Sequence, residues 1–302
     1  MTKRQKEKER HIIALSPNRR PYGAKLTLLL EKRTSFNISG ECTLLVTPEI
    51  NLRIKPKNRR HVNGNDWDIF VEGFSTASEA EEVGLKVALG FLWTAIQGRY
   101  SVRLIYHTPL PCAVYHRTQS TALSSGWATL SMSVGIANVI GPLDSVIASN
   151  NKVDPRLLIA LEIFAAARLE TTERAKLVGL VSAIEPLVVQ AKYDDDELTT
   201  LLANFKEQLN SSDLDPRLIA SLSGRIDQLR VESVSRAIRR LVENSLPDDT
   251  QAVAIIEDAY NLRSKIIHEG STDADLQEKS QKAEEIIRRI FELKISEYTR
   301  LA

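Results

Sequence analysis

The sequence is poor in cysteine: Cys42 and Cys112 are its only two, they lie far apart, and no CxxC pair occurs. This usage argues against a zinc site and against a disulfide framework, and it fits a reducing cytoplasm. His11, His107 and His116 lack the mutual spacing of metal ligands. We therefore expect a cytoplasmic protein that uses no metal and no other cofactor.

Long hydrophobic runs are also absent. No apolar stretch reaches the roughly 20 residues that a membrane-spanning helix needs, and residues 91–96 belong to an amphipathic pattern. The first ten residues are highly charged and lack the apolar centre of a secretory signal. The sequence thus predicts no membrane partner. With 302 residues, 43% of them hydrophobic and 26% charged, it is typical of two soluble globular domains.

The net charge of +1 conceals an asymmetry between the two halves. Residues 1–151 carry 19 Lys and Arg against 12 Asp and Glu, whereas residues 152–302 carry 21 against 27. A basic front half favours an anionic partner, of which nucleic acid is the common example. A solvated surface with a basic tail explains the same asymmetry, and both interpretations stay open.

Periodicity predicts a basic flexible tail over residues 1–22 and an α+β domain over residues 23–150. The dipeptide at 63–64, Asn-Gly, indicates a hairpin turn. A helix is expected over Thr76–Gln97 with Ser78 as its N-cap, packed on a mainly antiparallel sheet. The expected strands are Lys25–Glu31, Phe36–Pro48, Asn51–Pro56, Trp67–Phe74 and Tyr100–His107.

The stretch Trp127–Ile140 alternates enough for a strand, although a helix of small residues is also compatible with it. From residue 151 the pattern is helical throughout, which predicts an all-α domain over residues 151–302. Asp154 caps its first helix and Pro155 occupies the first helical position. The expected helices are Leu157–Leu169, Thr171 or Thr172 to Lys192 with a kink at Pro186, Glu197–Leu209, Pro216–Leu229, Val231–Asn244, Thr250–His268 capped by Asp248 or Asp249, and Thr272 or Asp273 to Tyr298.

One stretch of this helical region, Ala259–Gly270, carries residues suited to RNA cleavage without a metal. It places Arg263 five positions before His268, just ahead of a glycine that can end a helix. A histidine moves protons at neutral pH, and an arginine holds a phosphate through two parallel hydrogen bonds. Because five residues turn about 140° around a straight helix, convergence needs either a loosened helix end or two copies facing each other across a two-fold axis.

The motif Tyr-Asn-Leu-Arg-Ser-Lys-Ile-Ile-His-Glu-Gly, late in an all-α bundle, resembles the HEPN superfamily (higher eukaryotes and prokaryotes nucleotide-binding). It is similar to the ApeA-like HEPN RNase domains of prokaryotic defence and toxin proteins, in which an earlier apolar helix with one embedded acid resembles Leu180–Leu187. The resemblance covers roughly residues 155–302. Active members often have Asn, Asp or His after the arginine and glycine after the histidine, positions that Ser264 and Glu269 occupy in this sequence.

This resemblance implies a dimeric, metal-independent endoribonuclease that leaves a 2′,3′-cyclic phosphate and a 5′-hydroxyl. His268 would move protons and Arg263 would stabilise the charge on the phosphorus. RNA is then the expected partner, with the dimer formed through the HEPN domain and a protein partner or trigger acting on the front domain. The residues assigned supporting or phosphate-contacting roles are Ser264, Glu185, Asn261, Tyr260 and Lys265.

Several alternatives are also compatible with the residues. Arg263 can form a surface ion pair with Asp258 or Glu257, while a histidine at a helix end is favoured there by the helix dipole. Glu185 is either a buried acid that supports Arg263 or a helix-surface residue. The whole domain can also be an HEPN scaffold without turnover.

The front domain offers a second candidate surface, because Arg53, Lys55 and Lys57 alternate along one strand and Arg59 and Arg60 follow. A period of two places the first three on one face, where they can track a phosphate backbone. An edge strand protected by charge predicts the same pattern. Two further sets favour structural roles: the run Asp194–Asp196 as a helix N-terminus rather than a metal site, and the three tryptophans as core residues, Trp67, Trp93 and Trp127.

Overall fold

The computed structural model describes residues 20–31, 34–36, 38, 40–47, 50–57, 66–106, 109–117, 132–134, 137–270 and 275–300. Packing divides the chain into two compact units. Unit 1 comprises residues 1–170 and 294–302, and unit 2 comprises residues 171–293. Residues 1–19 of the expected tail, the expected turn at 63–64 and Trp127 lie outside the described part.

An antiparallel sheet forms the framework of unit 1, as the alternating pattern predicts. Its order is β3-β4-β5-β1-β6, with β7 also paired to β1, and a parallel pair of β2 and β8 lies apart from it. Register places Lys25 opposite Phe70, and Phe70 opposite Arg53. The strands are β1 Tyr22–Leu30, β2 Thr34–Phe36, β3 Cys42–Thr47, β4 Ile50–Pro56, β5 Asp66–Phe74, β6 Val102–Leu104, β7 Ala113–His116 and β8 Met132–Val134.

The first helix, α1 (Ala77–Gln97), packs on this sheet and confirms the expected switch to helical period. Its N-cap is Thr76, whose hydroxyl accepts a hydrogen bond from the backbone N–H of Glu79, so the expected cap at Ser78 is wrong by two residues. Gly84 permits the close approach: a Cβ there would lie 2.8 Å from the Cβ of Ala24 and 2.8 Å from the Sγ of Cys112. The close packing of α1 against Ala24 and Cys112 therefore requires a glycine at position 84.

Two further helices belong to unit 1, which corrects the expectation of one packed helix. They are α2 (Ala137–Ile147) and α3 (Pro155–Ala167), and both pack against α1. Asp154 caps α3 through the backbone N–H of Arg156, as the Asp-Pro pair predicts. Because α3 buries its apolar residues against this unit, the compact units part after residue 170 and not at residue 150.

Unit 2 is a bundle of helices, in agreement with the expected all-α region. Thr172 caps its first helix and Asp249 the helix that carries the motif, each through a side-chain oxygen that accepts backbone N–H groups. An isolated antiparallel bridge, Lys192 to Val231, is a β feature that the sequence did not indicate. The helices are α4 Glu173–Ile184, α5 Asp196–Asn210, α6 Pro216–Gln228, α7 Val234–Ser245, α8 Thr250–Glu269 and α9 Leu276–Arg300, whose last turns return to unit 1.

The end of one helix differs from the sequence-based expectation, and the start of another is defined by its cap. Helix α4 ends at Ile184 and a 3₁₀ turn follows over Glu185–Leu187, whereas a kinked helix to residue 192 was expected. Pro186 ends the helix because it lacks an N–H and its ring would clash with the carbonyl four residues earlier. Helix α9 begins at Leu276, where Asp275 accepts hydrogen bonds from the backbone of the first turn. The expected start residues, Thr272 and Asp273, lie outside the described residues.

The core of unit 2 is aliphatic and is enclosed by ion pairs between helices. Lys176 on α4 lies 2.9 Å from Glu284 on α9, and Lys279 on α9 lies 2.7 Å from Asp258 on α8. These contacts join α9 to α4 and to α8, although partly exposed pairs of this kind each contribute under about 1 kcal/mol. Burial of apolar side chains supplies most of the stability, and the fully enclosed ones include Leu177, Leu180, Ile184, Ile256, Ile287, Ile290 and Phe291.

Acid and alkali are expected to destabilise different units. The hydrogen bond from Arg289 holds the pKa of Asp249 below its ordinary value of 3.8, so this carboxylate stabilises unit 2 above pH 3.8 and loses its effect as the pH falls further. Burial raises the pKa of Cys112 from 9.0 to about 11 and that of Tyr100 from 10.0 to about 12. Both groups are neutral below pH 9, where their contribution to the stability of unit 1 is complete. This contribution is lost as the pH rises through their pKa values in the folded protein.

Spectroscopy separates these two effects because residues 171–293 contain no tryptophan, whereas Trp67 and Trp93 lie in unit 1. Tryptophan fluorescence between pH 9 and 12 should report loss of unit 1 structure. Far-UV circular dichroism below pH 4 should report loss of helix. Unchanged tryptophan emission up to pH 12 would contradict the assignment of the alkaline effect.

Candidate functional site

The Arg263–His268 motif lies on the C-terminal half of α8. The helix remains regular through Glu269 and ends at Gly270, which adopts a left-handed conformation with φ of 74°. Arg263 is half-buried, whereas His268 in the last turn is exposed. Local sequence explains this ending, because glycine adopts a positive φ without a steric penalty.

Arg263 is held against the 3₁₀ turn that follows α4. Its Nη2 lies 3.2 Å from Oε1 of Glu185, and its guanidinium carbon lies 6.0 Å from the ring centre of Tyr260. The expected alternatives, pairs with Asp258 or Glu257, do not form, because these carboxylates bind lysine and arginine side chains of neighbouring helices. Glu185 therefore supports Arg263, although a third of its side chain is exposed and it is not buried as one interpretation required.

The arginine also retains unused donor capacity. Its Nε atom is buried and has no hydrogen-bond acceptor among the residues that the structure describes. Buried donors in proteins are nearly always paired, and an arginine offers five N–H groups in a planar fork. Glu185 thus positions Arg263 but does not engage all of its hydrogen-bond donors.

A second arginine approaches the same helix end, and sequence spacing gave no signal for it. Nη1 of Arg174, in the first turn of α4, donates a hydrogen bond of 3.1 Å to the carbonyl oxygen of Gly270. The contact joins residues almost 100 positions apart, so only the tertiary packing of α4 beside α8 reveals it. It places a cation two residues beyond His268 along the chain.

The neighbours of the motif occupy distinct surfaces of α8. Ser264 is half-buried, whereas Lys265 and Glu269 are exposed. Asn261 is exposed in the interior of the helix. Tyr260 packs against Arg263, as expected.

The regular helix removes one of the two expected routes to convergence. A loosened end near His268 would have turned its side chain toward Arg263, but α8 keeps its helical hydrogen bonds to Gly270, whose N–H donates to Ile266. Five regular residues separate the two side chains by about 140° around the axis. One chain alone therefore points Arg263 and His268 in different directions.

The basic strand of unit 1 is an interior strand of the sheet, and its residues Arg53 and Lys55 share one face. Strand β4 lies between β3 and β5, so the edge-strand explanation is wrong. Arg53 lies 3.1 Å from Glu72 and 3.5 Å from Glu41, and it shares the Phe70 ring with Lys55. Lys57 follows the end of β4, while residues 59 and 60, both arginine, lie outside the described residues. The Arg53 guanidinium, which a phosphate would need to contact, is thus already paired with two carboxylates.

Three remaining expectations concern acids and tryptophans. Asp195 caps α5 by accepting a hydrogen bond from the backbone N–H of Leu198, which confirms the helix-start interpretation of the acidic run. Trp67 and Trp93 are buried in unit 1, as expected. Among the described residues no three of His, Cys, Asp or Glu cluster closely enough to hold a metal ion.

Comparison with known proteins adds no further assignment. The sequence matches no protein-family model, no curated protein and no solved structure at a significant level. In the part of the chain that the structure describes, no helix is both long enough and apolar enough to cross a bilayer. Functional inference therefore rests on the residues and geometry of the motif.

Proposed function

We propose that unit 2 is an HEPN-type, metal-independent endoribonuclease whose cleft is completed by a second copy of the chain. Arg263 is the phosphate-binding cation, His268 is the proton-transfer group and Glu185 is a positioning residue. In this proposal RNA is the substrate, and the cellular role is that of a defence or toxin effector. Because C2 association places the same surface of both copies together, it would gather the Arg263 and His268 side chains that one helix keeps apart.

The reaction is transfer of the RNA phosphodiester to its own 2′-oxygen. The 2′-oxygen attacks the phosphorus while its proton passes to an acceptor, and the bond from phosphorus to the 5′-oxygen breaks as that oxygen gains a proton. His268 serves as one of these proton-transfer groups. Arg263 stabilises the negative charge that accumulates on the non-bridging oxygens. The products are a 2′,3′-cyclic phosphate and a 5′-hydroxyl.

The observation that carries this proposal is the incomplete satisfaction of Arg263. Glu185 fixes the guanidinium from one side, the buried Nε lacks an acceptor among the described residues, and the side chain keeps about a quarter of its surface exposed, at 23%. An arginine that served only the fold would be expected to use its donors within it. An exposed histidine on the same helix supplies the other group that the chemistry needs.

A cleavage assay tests the proposal directly. The full chain is incubated with labelled RNA in excess EDTA, and the expected result is a fragment that ends in a 2′,3′-cyclic phosphate. The matched control is the same oligonucleotide with 2′-deoxyribose throughout, which lacks the nucleophile and should remain intact. Cleavage of the DNA control, or loss of RNA cleavage in EDTA, would contradict the assigned chemistry.

The alternative of an HEPN scaffold without turnover predicts a different result in the same assay. RNA would then remain uncut in the wild-type chain, and substitution of His268 would change nothing. The exposed carboxylate of Glu269 beside the histidine is compatible with this alternative because it repels a phosphate.

A further inference from the structure

Helices α5 and α6 form a hairpin, residues 196–228, that packs mainly on itself. Helix α6 buries no residue, and α5 buries only Leu202. The apolar residues nevertheless recur at helical spacing along both helices. Five large apolar side chains of the hairpin and its flanks each keep between 44% and 57% of their surface exposed: Leu201, Phe205, Leu214, Leu218 and Leu229.

Three of these side chains, Phe205, Leu214 and Leu229, border a groove of about 470 Å³ between the two helices. Leu209 of α5 and Leu222 and Ile226 of α6 also line it. Apolar stripes of this kind are normally covered, since exposed contiguous apolar surface marks an interaction site. Two antiparallel helices with such stripes form half of a four-helix bundle, and a second hairpin would complete it.

The base of the hairpin is firmly held, so the groove is a defined surface. The backbone N–H of Glu232 donates to the carbonyl of Ala191 at 2.9 Å, and the N–H of Ala191 donates back to Oε1 of Glu232 at 2.9 Å. The side chain of Gln190 adds a bond of 2.6 Å to the Glu232 carbonyl. Within the hairpin, Lys206 on α5 pairs with Asp227 near the end of α6 at 2.7 Å.

Charge indicates what covers the groove. Helix α5 has three acidic side chains and one lysine, whereas helix α6 has two arginines and one aspartate. The lysine and the aspartate, Lys206 and Asp227, pair with each other, which leaves α5 acidic and α6 basic. A two-fold axis that lays α5 of one copy on α6 of the other pairs an acidic helix with a basic one twice. Glu197 on α5 and Arg225 at the rim of the groove are exposed members of these two sets.

We propose that the α5–α6 hairpin is a self-association surface, on which a second copy of this chain docks its own hairpin to form an intermolecular four-helix bundle. The self-complementary charge favours a second copy over an unrelated partner, whose charge pattern would have to match both helices. This inference is independent of RNA cleavage, because it rests on the exposed stripe and the charges of α5 and α6.

The test is the molar mass of the full chain in solution without RNA, measured by sedimentation equilibrium up to ~100 µM. The wild type is expected to be a dimer, or a larger assembly where the motif interface forms as well, and Phe205→Glu is expected to weaken association through the hairpin at least ~30-fold, the effect of losing an interface hot spot. Ile159→Glu is the matched control, because this α3 residue is equally exposed, at 48%, but lies outside the hairpin. A monomeric wild type would overturn the proposal.

Charge reversal identifies the partner. Arg225→Glu alone should weaken the dimer, and combining it with Glu197→Arg should restore it, as pairing between two copies predicts. Ile267→Glu on α8, where 47% of the side chain is exposed, reports on association through the motif instead. If Ile267→Glu dissociates the dimer and Phe205→Glu has no effect, the proposed hairpin interface is wrong. The proposal of a nuclease dimer through α8 would still stand. Circular dichroism verifies that each variant is folded.

Discussion

Replacement of His268 by alanine is expected to lower the rate of RNA cleavage by about 100- to 10,000-fold, the contribution of a positioned proton-transfer group. Arg263→Ala is expected to lower it by about 100- to 1,000-fold through loss of charge stabilisation. His268 is exposed in the last turn of α8, so its removal leaves the core of unit 2 unchanged. Single-turnover cleavage at saturating RNA separates these effects on the chemical step from effects on binding.

Two variants serve as controls for this result. Gln251→Ala changes an exposed residue at the opposite end of the same helix and should leave the rate unchanged. Glu185→Gln removes the charge that positions Arg263, and because this pair is partly exposed its loss should cost under about 1 kcal/mol of stability. Its effect on cleavage should be smaller than that of Arg263→Ala and should appear in the catalytic step. Full activity of His268→Ala would contradict the assignment.

Truncation of the unit 2 core is expected to give the largest loss of stability. Phe291→Ala should lower the free energy of unfolding by about 3–5 kcal/mol, because the deletion leaves a cavity as well as removing apolar contact. The ring is fully enclosed, with 0% of its surface exposed, and Ile287 lies one helical turn before it. Loss of this anchor loosens α9 and, through the Lys279–Asp258 pair, the helix that carries the motif.

Leu293→Ala is the matched control for this core substitution. It lies two residues later on the same helix, keeps 38% of its surface exposed, and should cost far less. Urea titration followed by far-UV circular dichroism measures both effects, and hydrogen exchange of the α8 amides shows whether the motif helix is loosened. Equal losses for Phe291→Ala and Leu293→Ala would contradict the account of the core.

The sequence predicted most helix caps correctly, because a cap depends on residues that are close together along the chain. Asp154, Thr172 and Asp249 cap helices as expected, because a side-chain oxygen bonds N–H groups only two or three residues away. Thr76 was missed in favour of Ser78, since both residue types cap helices and the sequence does not decide between positions two apart. Pro186 was recognised as a disruption, but whether a proline kinks or ends a helix depends on what its neighbours can satisfy.

The sequence did not predict most of the features that depend on tertiary packing. Helix α3 has an unambiguous start, yet its place in unit 1 follows from what its apolar face contacts. The contact of Arg174 with Gly270 and the engagement of Arg53 by two carboxylates likewise join residues distant in sequence. The ion pair of Arg263 with Glu185 also joins residues distant in sequence, but the sequence predicted it as one of two interpretations of Glu185.

The central claim is that Arg263 and His268 act from two different copies in one cleft, and subunit mixing tests it most directly. Arg263→Ala and His268→Ala chains are each expected to be at least about 100-fold less active alone. Random reassortment of equal amounts makes about half of the dimers mixed. Each mixed dimer holds one intact arginine and one intact histidine, so cleavage should reappear in proportion to the mixed dimers. Reassortment without recovery of cleavage would contradict the claim.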